Sequence, residues 1–306
     1  MEHIGKVTMN YDYYSGKDLY SDGDIEDTLL EIVKNHDKSE FPEIIAEKKS
    51  WPVLYHLSDV RTNILNWYPF KKDANVLEVG AGCGAITGTL ADKTARVTAV
   101  DLSKRRSLIN AYRNKDKENL EIIVGNFYDI SSAMKERYDY VTLIGVLEYG
   151  ECYIPGENAY QAFLEKIKGL LKPDGKVLIA IENQLGIKYF AGCKEDHVGR
   201  YFEGIEGYTN TSGVRTFSKK ALADLLAQSG YEGLEFYYPY PDYKLPDTIY
   251  TDDFLPAKGE LCRNSRNFDA DRMVLFNETK AWDTIIEAGL FPEFSNSFFV
   301  VATKKG

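Results

Sequence analysis

The stretch VLEVGAGCGAIT at residues 76–87 concentrates the residue types best suited to ligand binding. Gly80, Gly82 and Gly84 alternate with small residues between an apolar run and an apolar helix start. Glycine lets the chain turn sharply and brings backbone close to a ligand. The N-terminus of the following helix favours polar or anionic ligand groups. The stretch therefore predicts a cofactor-binding loop.

Two classes of cofactor fit this loop. With Gly80, Gly82 and Ala85 it matches the dinucleotide pattern G-x-G-x-x-G/A, which predicts hydride transfer. With Glu78 ahead of the glycines it matches the acidic loop that binds S-adenosylmethionine. A buried carboxylate is costly unless it meets donors or a cation, and this cofactor carries a sulfonium and an amino group. Glu78 therefore favours methyl transfer over hydride transfer.

Further candidate cofactor contacts follow the later apolar runs. Asp101, with Leu102 beside it, ends the second run, where a carboxylate can accept both ribose hydroxyls or cap the next helix. Asn126 and Phe127 follow the third, where they can contact an adenine or form an ordinary turn and core. Gly145 ends the fourth and leaves room for the methionine part of the cofactor. Open α/β sheets bind ligands at these carboxyl ends.

Short apolar strands alternate with amphipathic helices from residue 75 onward. Such alternation predicts a parallel sheet covered on both faces. The expected fold class is α/β, a Rossmann-like, seven-stranded, mostly parallel sheet with helices on both faces and the last strand at the edge. The seven expected strands are NVLEV, RVTAV, LEIIVG, YDYVTLIG, KVLIAIE, LEFYYPY and SFFVVAT.

The block from Val76 to Glu182 carries these motifs in order and resembles the class I S-adenosylmethionine-dependent methyltransferases. The flanks, such as EDHVGRYFEGIEGY and ENQLGIKYFAG, resemble a bacterial subfamily associated with surface-glycan and ribosomal-peptide tailoring. The resemblance implies S-adenosylmethionine as cofactor. It also implies that the helix containing LYHLSDVR closes over the cofactor, with Tyr55 and Arg61 in contact and Arg61 on the methionine carboxylate.

The predicted elements divide the chain at residue 70. Residues 1–70 are expected to form an N-terminal helical cap, with a polar, aromatic arm followed by a helix capped by Asp24 and a second helix over 53–67. Residues 71–306 form the methyltransferase domain. Its long irregular insertions, 183–216 and 241–295, are expected to act as lids or binding loops.

The first insertion carries the candidate catalytic residues. His197 lies among glycines and charges, and histidine is the side chain that titrates naturally near neutral pH. It is predicted as the general base or the residue that orients the acceptor. Arg200 and Arg215 are candidate anion anchors, with surface ion pairing as the alternative. These residues suit an oxygen acceptor, either a peptide or small-molecule carboxylate or a glycan hydroxyl.

Composition bears on the possible partners, metal sites and location of the protein. The net charge of −10 over 306 residues disfavours nucleic acid as a partner. The four cysteines include no C-x-x-C pair, and no metal site is predicted. No apolar run approaches the roughly 20 residues of a membrane span, so a cytoplasmic protein without a membrane partner is expected. The alternatives are a nicotinamide-dependent oxidoreductase and a non-catalytic methyltransferase-like binding protein.

Overall fold

A computed structural model describes residues 2–18, 21, 23–154, 156, 158–264 and 270–306. By its internal contacts the chain divides into two compact units. Unit 1 comprises Met1–Leu143 with Gly169–Lys176 and Gly306, and unit 2 comprises Ile144–Lys168 with Val177–Lys305. The predicted domain boundary at residue 70 stays a prediction.

Unit 1 contains a run of parallel strands in the order β1-β2-β5-β4-β3-β6. The ladders from β2 through β6 are parallel, and β1 pairs antiparallel with β2. The strands are β1 (Glu2–Ile4), β2 (Val7–Tyr13), β3 (Asn75–Val79), β4 (Arg96–Asp101), β5 (Leu120–Gly125) and β6 (Tyr138–Ile144, whose last residue opens unit 2). The helices are α1 (Ile25–Asn35), α2 (Phe41–Lys48), α3 (Trp51–Leu57), α4 (Asn63–Asn66), α5 (Thr87–Lys93), α6 (Lys104–Arg113) and α7 (Phe127–Ala133).

Unit 2 contains strands in the order β7-β10-β8-β9, with antiparallel β10–β8 and β8–β9 ladders. Its strands are β7 (Leu171–Glu182, which begins in unit 1), β8 (Tyr231–Tyr240), β9 (Thr248–Thr251) and β10 (Ser297–Lys304). Its helices are α8 (Gly150–Tyr153), α9 (Ala159–Leu170), α10 (Ile187–Phe190), α11 (Lys219–Gln228), α12 (Glu278–Glu287) and α13 (Phe291–Phe294).

The mixed α/β fold with a parallel-rich sheet is confirmed, but the sheet has ten strands rather than seven. The predicted strands are present as β3 to β8 and β10, and the additional ones are β1, β2 and β9. Residues 2–13 are therefore strands and not part of a helical arm. In β2, buried Val7 and Met9 alternate with half-exposed neighbours, which is the two-residue period of a strand. β10 lies between β7 and β8 in the strand order, and β9 takes the edge instead.

Two helix predictions need correction. The helix expected over 53–67 is interrupted at Ser58, whose backbone is extended and whose hydroxyl accepts a hydrogen bond from Val60 N at 3.3 Å. A serine that caps the following turn ends the helix before it. The helix after Asp24 is present as α1, but the Asp24 side chain makes no cap hydrogen bond.

Neither long insertion is irregular throughout. Residues 183–216 contain α10, and Lys188, Tyr189 and Glu195 are buried within unit 2, so this part is interior rather than a loose covering loop. Residues 241–295 contain β9, α12 and α13, while residues 265–269 lie outside the described residues. No helix in the described parts of the chain is both long and apolar enough to cross a lipid bilayer.

Candidate cofactor and acceptor sites

The glycine loop of unit 1 turns between β3 and α5. Gly80, Gly82 and Gly84 have φ values of +68°, +52° and +74°, which side chains rarely tolerate. Gly80 N donates to Val100 O at 2.9 Å, and Gly82 N donates to Asp101 Oδ2 at 2.7 Å. The loop is thus fixed to the end of β4.

Gly82 and Gly84 serve different purposes. A Cβ at Gly82 would have no heavy atom of the described residues within 4 Å, so this glycine faces open space that a ligand can fill. A Cβ at Gly84 would collide with the Asn110 side chain and lie 3.0 Å from its Cα. Gly84 therefore allows α6 to pack closely, whereas Gly82 leaves room for a cofactor.

Glu78 is 2% exposed, on the β3 strand that leads into the loop. Its Oε2 accepts a hydrogen bond from Thr87 Oγ1 at 2.7 Å, and Thr87 Oγ1 accepts one from Asn110 Nδ2 at 3.0 Å. Burial raises the pKa of Glu78 to about 8, against the lowering effect of the Thr87 hydrogen bond. Without a bound ligand, the carboxyl group of Glu78 therefore keeps its proton at neutral pH.

Asp101 lies at the end of β4, as predicted for a ribose ligand. Its oxygens accept hydrogen bonds from Gly82 N and from Ser103 N, at 2.7 and 2.9 Å, and each oxygen keeps capacity for a second donor. Burial raises its pKa. Leu102 beside it is half-buried. Ser103 caps α6, since its hydroxyl accepts from Arg106 N.

The remaining predicted cofactor contacts in unit 1 have local roles. Asn126 caps α7 by accepting a hydrogen bond from Tyr128 N at 2.9 Å, and Phe127 is 2% exposed. The Arg61 guanidinium stacks on Tyr55, 4.2 Å from the ring centroid, and Arg61 is 6% exposed. A stacked, buried guanidinium is a suitable anion ligand. Contact of these residues with the cofactor stays a prediction.

In unit 2, the chain after β6 places Gly145 and Glu148 close together. A Cβ at Gly145 would lie 2.8 Å from Tyr243 Oη and 3.6 Å from Glu148 Oε1. A side chain at Gly145 would therefore collide with Tyr243, so the glycine lets the Tyr243 hydroxyl approach the backbone closely. Contact of Gly145 with the cofactor stays a prediction. Glu148 lies in a short 3₁₀ turn (Leu147–Tyr149) and is 1% exposed.

His197 faces three carboxylates. Its Nδ1 lies 3.0 Å from Glu195 Oε1, and its Nε2 lies 3.4 Å from Glu148 Oε1 and 3.6 Å from Glu182 Oε2. Glu195 is held in place by the backbone N–H groups of His197 and Val198, which donate to its Oε2 at 2.7 and 2.6 Å. The imidazole is thus oriented with Nε2 toward Glu148 and Glu182.

The carboxylates decide the charge of this histidine. Burial alone would lower the pKa of His197, but Glu182, Glu148 and Glu195 raise it well above its usual value. Burial raises the pKa of Glu148, opposed by His197. Lys244 and His197 overcome the effect of burial on Glu182 and lower its pKa. Without a bound ligand, His197 is therefore a cation at neutral pH. A cationic imidazole can orient an acceptor, but it cannot act as a general base.

A buried ionic network adjoins this cluster. Lys244 Nζ lies 2.7 Å from both Glu182 Oε1 and Asp196 Oδ1, and Lys188 Nζ lies 2.8 Å from Asp196 Oδ2. The network and the cluster contain five carboxyl groups and three basic groups, a net charge of −2 when all five carboxyl groups are ionised and the imidazole is protonated. They are Glu148, Glu182, Glu195, Asp196 and Asp242 against Lys188, His197 and Lys244.

The two predicted anion anchors are not part of this cluster. The Arg200 side chain is 57% exposed, with Nη1 3.8 Å from Glu203 Oε2. Arg215 is exposed and lies over the Tyr208 ring at 5.9 Å. Their role in anion binding stays a prediction.

Sequence reasoning did not assign Glu148, Glu182 or Lys244 to the site. Glu182 ends the apolar strand KVLIAIE, the same signal by which Glu78 was recognised within NVLEV. An acidic residue in an otherwise apolar strand therefore marks both sites. Lys244 carries no comparable sequence signal.

The family is decided by comparison of the sequence with known proteins. A family model described as a methyltransferase domain matches residues 53–235, more than half of the chain. The chain belongs to this methyltransferase family. Its cofactor is therefore S-adenosylmethionine. The open space at Gly82 and the carboxylate of Asp101 fit such a ligand.

Individual relatives are distant. An uncharacterized methyltransferase from Staphylococcus carnosus is 30% identical over 155 residues, 51% of this chain and 67% of the relative. A ubiquinone biosynthesis O-methyltransferase from Coxiella burnetii is 28% identical over 160 residues, 49% of this chain and 64% of that protein. A solved phosphoethanolamine N-methyltransferase 2 from Haemonchus contortus, in complex with S-adenosyl-L-methionine, has a TM-score of 0.46 and 18% identity, over 80% of this chain and 52% of that one.

Proposed function

We propose that this methyltransferase transfers the methyl group to a hydroxyl oxygen of its acceptor, and that the carboxylate cluster around His197 binds that acceptor. The observation that carries the proposal is Glu148 Oε2, a buried carboxylate oxygen with no hydrogen-bond partner among the described residues. A buried acceptor without a partner is costly, and a substrate hydroxyl supplies the donor.

The charge of the cluster selects among oxygen acceptors. A carboxylate acceptor would add another negative charge beside Glu148, Glu182 and Glu195, and like charges in a buried site repel strongly. A neutral hydroxyl adds no charge. The predicted alternative of a peptide or small-molecule carboxylate is therefore less favourable than a hydroxyl, such as that of a glycan.

The reaction needs removal of one proton. Bound S-adenosylmethionine supplies the methyl group, and the electron pair of the broken carbon–sulfur bond stays on sulfur. Glu148 Oε2 accepts the hydroxyl proton as the oxygen forms its new bond to carbon. His197 and Tyr243 orient the acceptor, because a reaction of this kind depends on alignment and on exclusion of water.

An amine acceptor is the second candidate. The net charge of −2 in the cluster attracts a cationic ammonium group, and the cluster also tolerates a neutral hydroxyl. Transfer to nitrogen also requires loss of a proton, which the same carboxylate can take.

An acceptor panel tests the proposal. Purified protein is incubated with S-adenosylmethionine and matched alcohols, carboxylic acids and amines, including mono- and oligosaccharides, and products are identified by mass spectrometry. We expect methyl ethers. Methyl esters without methyl ethers would contradict the proposal, and N-methyl products alone would favour the second candidate.

A further inference from the structure

The cluster around His197 has the composition of a metal-binding site. Imidazole nitrogen and carboxylate oxygen are the ligands of many divalent transition-metal sites. The ligand atoms of Glu148, Glu182 and His197 all lie within 4.8 Å of one another. The three side chains come from the turn after β6, the end of β7 and the insertion after it, and all belong to unit 2.

The spacing fits a shared ion better than hydrogen bonds. Nε2 lies 3.4 Å from Glu148 Oε1 and 3.6 Å from Glu182 Oε2. Hydrogen bonds from nitrogen to oxygen are about 2.7–3.2 Å long. Two ligand atoms that each lie about 2.1 Å from one ion in tetrahedral geometry are about 3.4 Å apart.

An unpartnered oxygen of Glu182 provides an independent indication of a ligand. Glu182 Oε2 is buried, and within the described parts of the chain no hydrogen-bond donor reaches it. Glu182 is 0% exposed, and its Oε2 faces His197 Nε2. The charge of Lys244 pairs with the other oxygen of Glu182, Oε1. A buried anionic oxygen without a donor is stabilised by a cation.

Glu195 completes the arrangement. A histidine that ligates a metal usually donates its other ring N–H to a carboxylate, which fixes the tautomer and orients the ring. Glu195 Oε1 lies 3.0 Å from Nδ1, and its other oxygen is held by two backbone N–H groups. The Tyr149 ring packs edge-on against the imidazole, with centroids 5.4 Å apart. With an ion in place of the Nε2 proton, the ring is neutral and directs its Nε2 lone pair toward the space between Glu148 and Glu182.

We propose that Glu148 Oε1, Glu182 Oε2 and His197 Nε2 bind one divalent transition-metal ion, such as Mn²⁺ or Zn²⁺, which coordinates the acceptor hydroxyl. The hydroxyl acceptor in this inference rests on the proposed function, whereas the metal site is argued independently of it. The ion polarises the hydroxyl, whose proton passes to Glu148 Oε2 as the oxygen takes the methyl carbon. The carbon–sulfur electron pair remains on sulfur, so atoms and charge balance.

The direct test is Mn²⁺ binding to the full-length protein after chelator treatment, without cofactor or acceptor. Mn²⁺ is preferred as the probe because the exposed thiols of Cys152 and Cys262 would also take Zn²⁺. Calorimetry and the electron paramagnetic resonance signal of free Mn²⁺ should both show one ion per chain. No binding by the wild-type protein would overturn the proposal.

Variants localise the ion. His197→Ala and the near-isosteric Glu182→Gln should each weaken binding by more than about 100-fold, and Glu195→Gln by about 10–100-fold, the usual effect of losing a partner of a ligand. Glu203→Gln is the matched control. Glu203 is similarly buried, but it lies outside the cluster and its Oε1 accepts hydrogen bonds from Asn210 N and Thr211 Oγ1. Unchanged Mn²⁺ affinity in folded Glu182→Gln or His197→Ala protein would contradict the proposed site.

The outcomes separate this inference from the proposed function. Methyl ether formation that persists unchanged in chelator would leave the hydroxyl acceptor standing and remove the metal from the reaction. Mn²⁺ binding lost in the ligand variants, together with methylation of carboxylates only, would support the site and overturn the hydroxyl acceptor.

Discussion

The buried carboxyl group of Glu78 predicts a measurable dependence of stability on pH. Its pKa is about 8 in the folded protein and 4.5 in the unfolded chain, because burial disfavours the charged form. Folding therefore binds a proton between these pH values. The stabilisation is fully present below pH 4.5 and is lost as the pH rises through 8. A difference of about 3.5 pH units corresponds to about 5 kcal/mol at about 1.4 kcal/mol per unit.

Glu78→Gln removes this pH dependence of stability while keeping an oxygen that can accept the hydrogen bond from the Thr87 hydroxyl. Urea unfolding of both proteins without cofactor, at pH 5, 6, 7 and 8, measures the difference in free energy of unfolding. The free energy of unfolding of the variant should rise relative to that of the wild type by up to about 1.4 kcal/mol per pH unit, or about 3.5 kcal/mol over the series. Glu118→Gln, at an exposed glutamate, is the control and should show no trend. A constant difference between Glu78→Gln and wild type would refute the reasoning.

Gly82→Ala should lower the melting temperature less than Gly84→Ala, because both substitutions strain a left-handed backbone but only a Cβ at Gly84 would collide with Asn110. Gly82→Ala should still weaken S-adenosylhomocysteine binding, since its Cβ would enter the space left for the cofactor; calorimetry and thermal melts of both variants check this. Equal loss of stability in the two would contradict the distinction. With a hydroxyl acceptor, Arg200→Ala and Arg215→Ala should change KM and kcat by no more than about twofold, the usual range for exposed substitutions. A large increase in acceptor KM in steady-state kinetics would favour an anionic acceptor instead.

The sequence predicted most of the sheet because buried parallel strands are short apolar runs. NVLEV, RVTAV and LEIIVG form β3, β4 and β5 with nearly the expected bounds. β2 was missed because its polar and tyrosine residues obscure the alternation of Val7 and Met9. The interruption at Ser58 was missed because the apolar periodicity continues on both sides of it.

The two sites differ in how far sequence could predict them. The glycine loop is contiguous, so Glu78 and Gly82 could be predicted as cofactor contacts from their spacing, and Asp101 from its place at the end of the second apolar run. The cluster around His197 joins side chains from three separate segments, and only folding brings His197 to Glu148 and Glu182. His197 was predicted as a general base or orienting group, but its carboxylate partners, which decide its charge, could not be predicted from local sequence.

The central claim is that the glycine loop of unit 1 binds an adenosyl methyl donor rather than a dinucleotide. Parallel calorimetric titrations of the wild-type protein with S-adenosylmethionine, S-adenosylhomocysteine and NAD test it most directly. We predict that both adenosyl ligands bind with one site per chain and raise the melting temperature by mass action, while NAD does neither. Binding of NAD without binding of either adenosyl ligand would contradict the account.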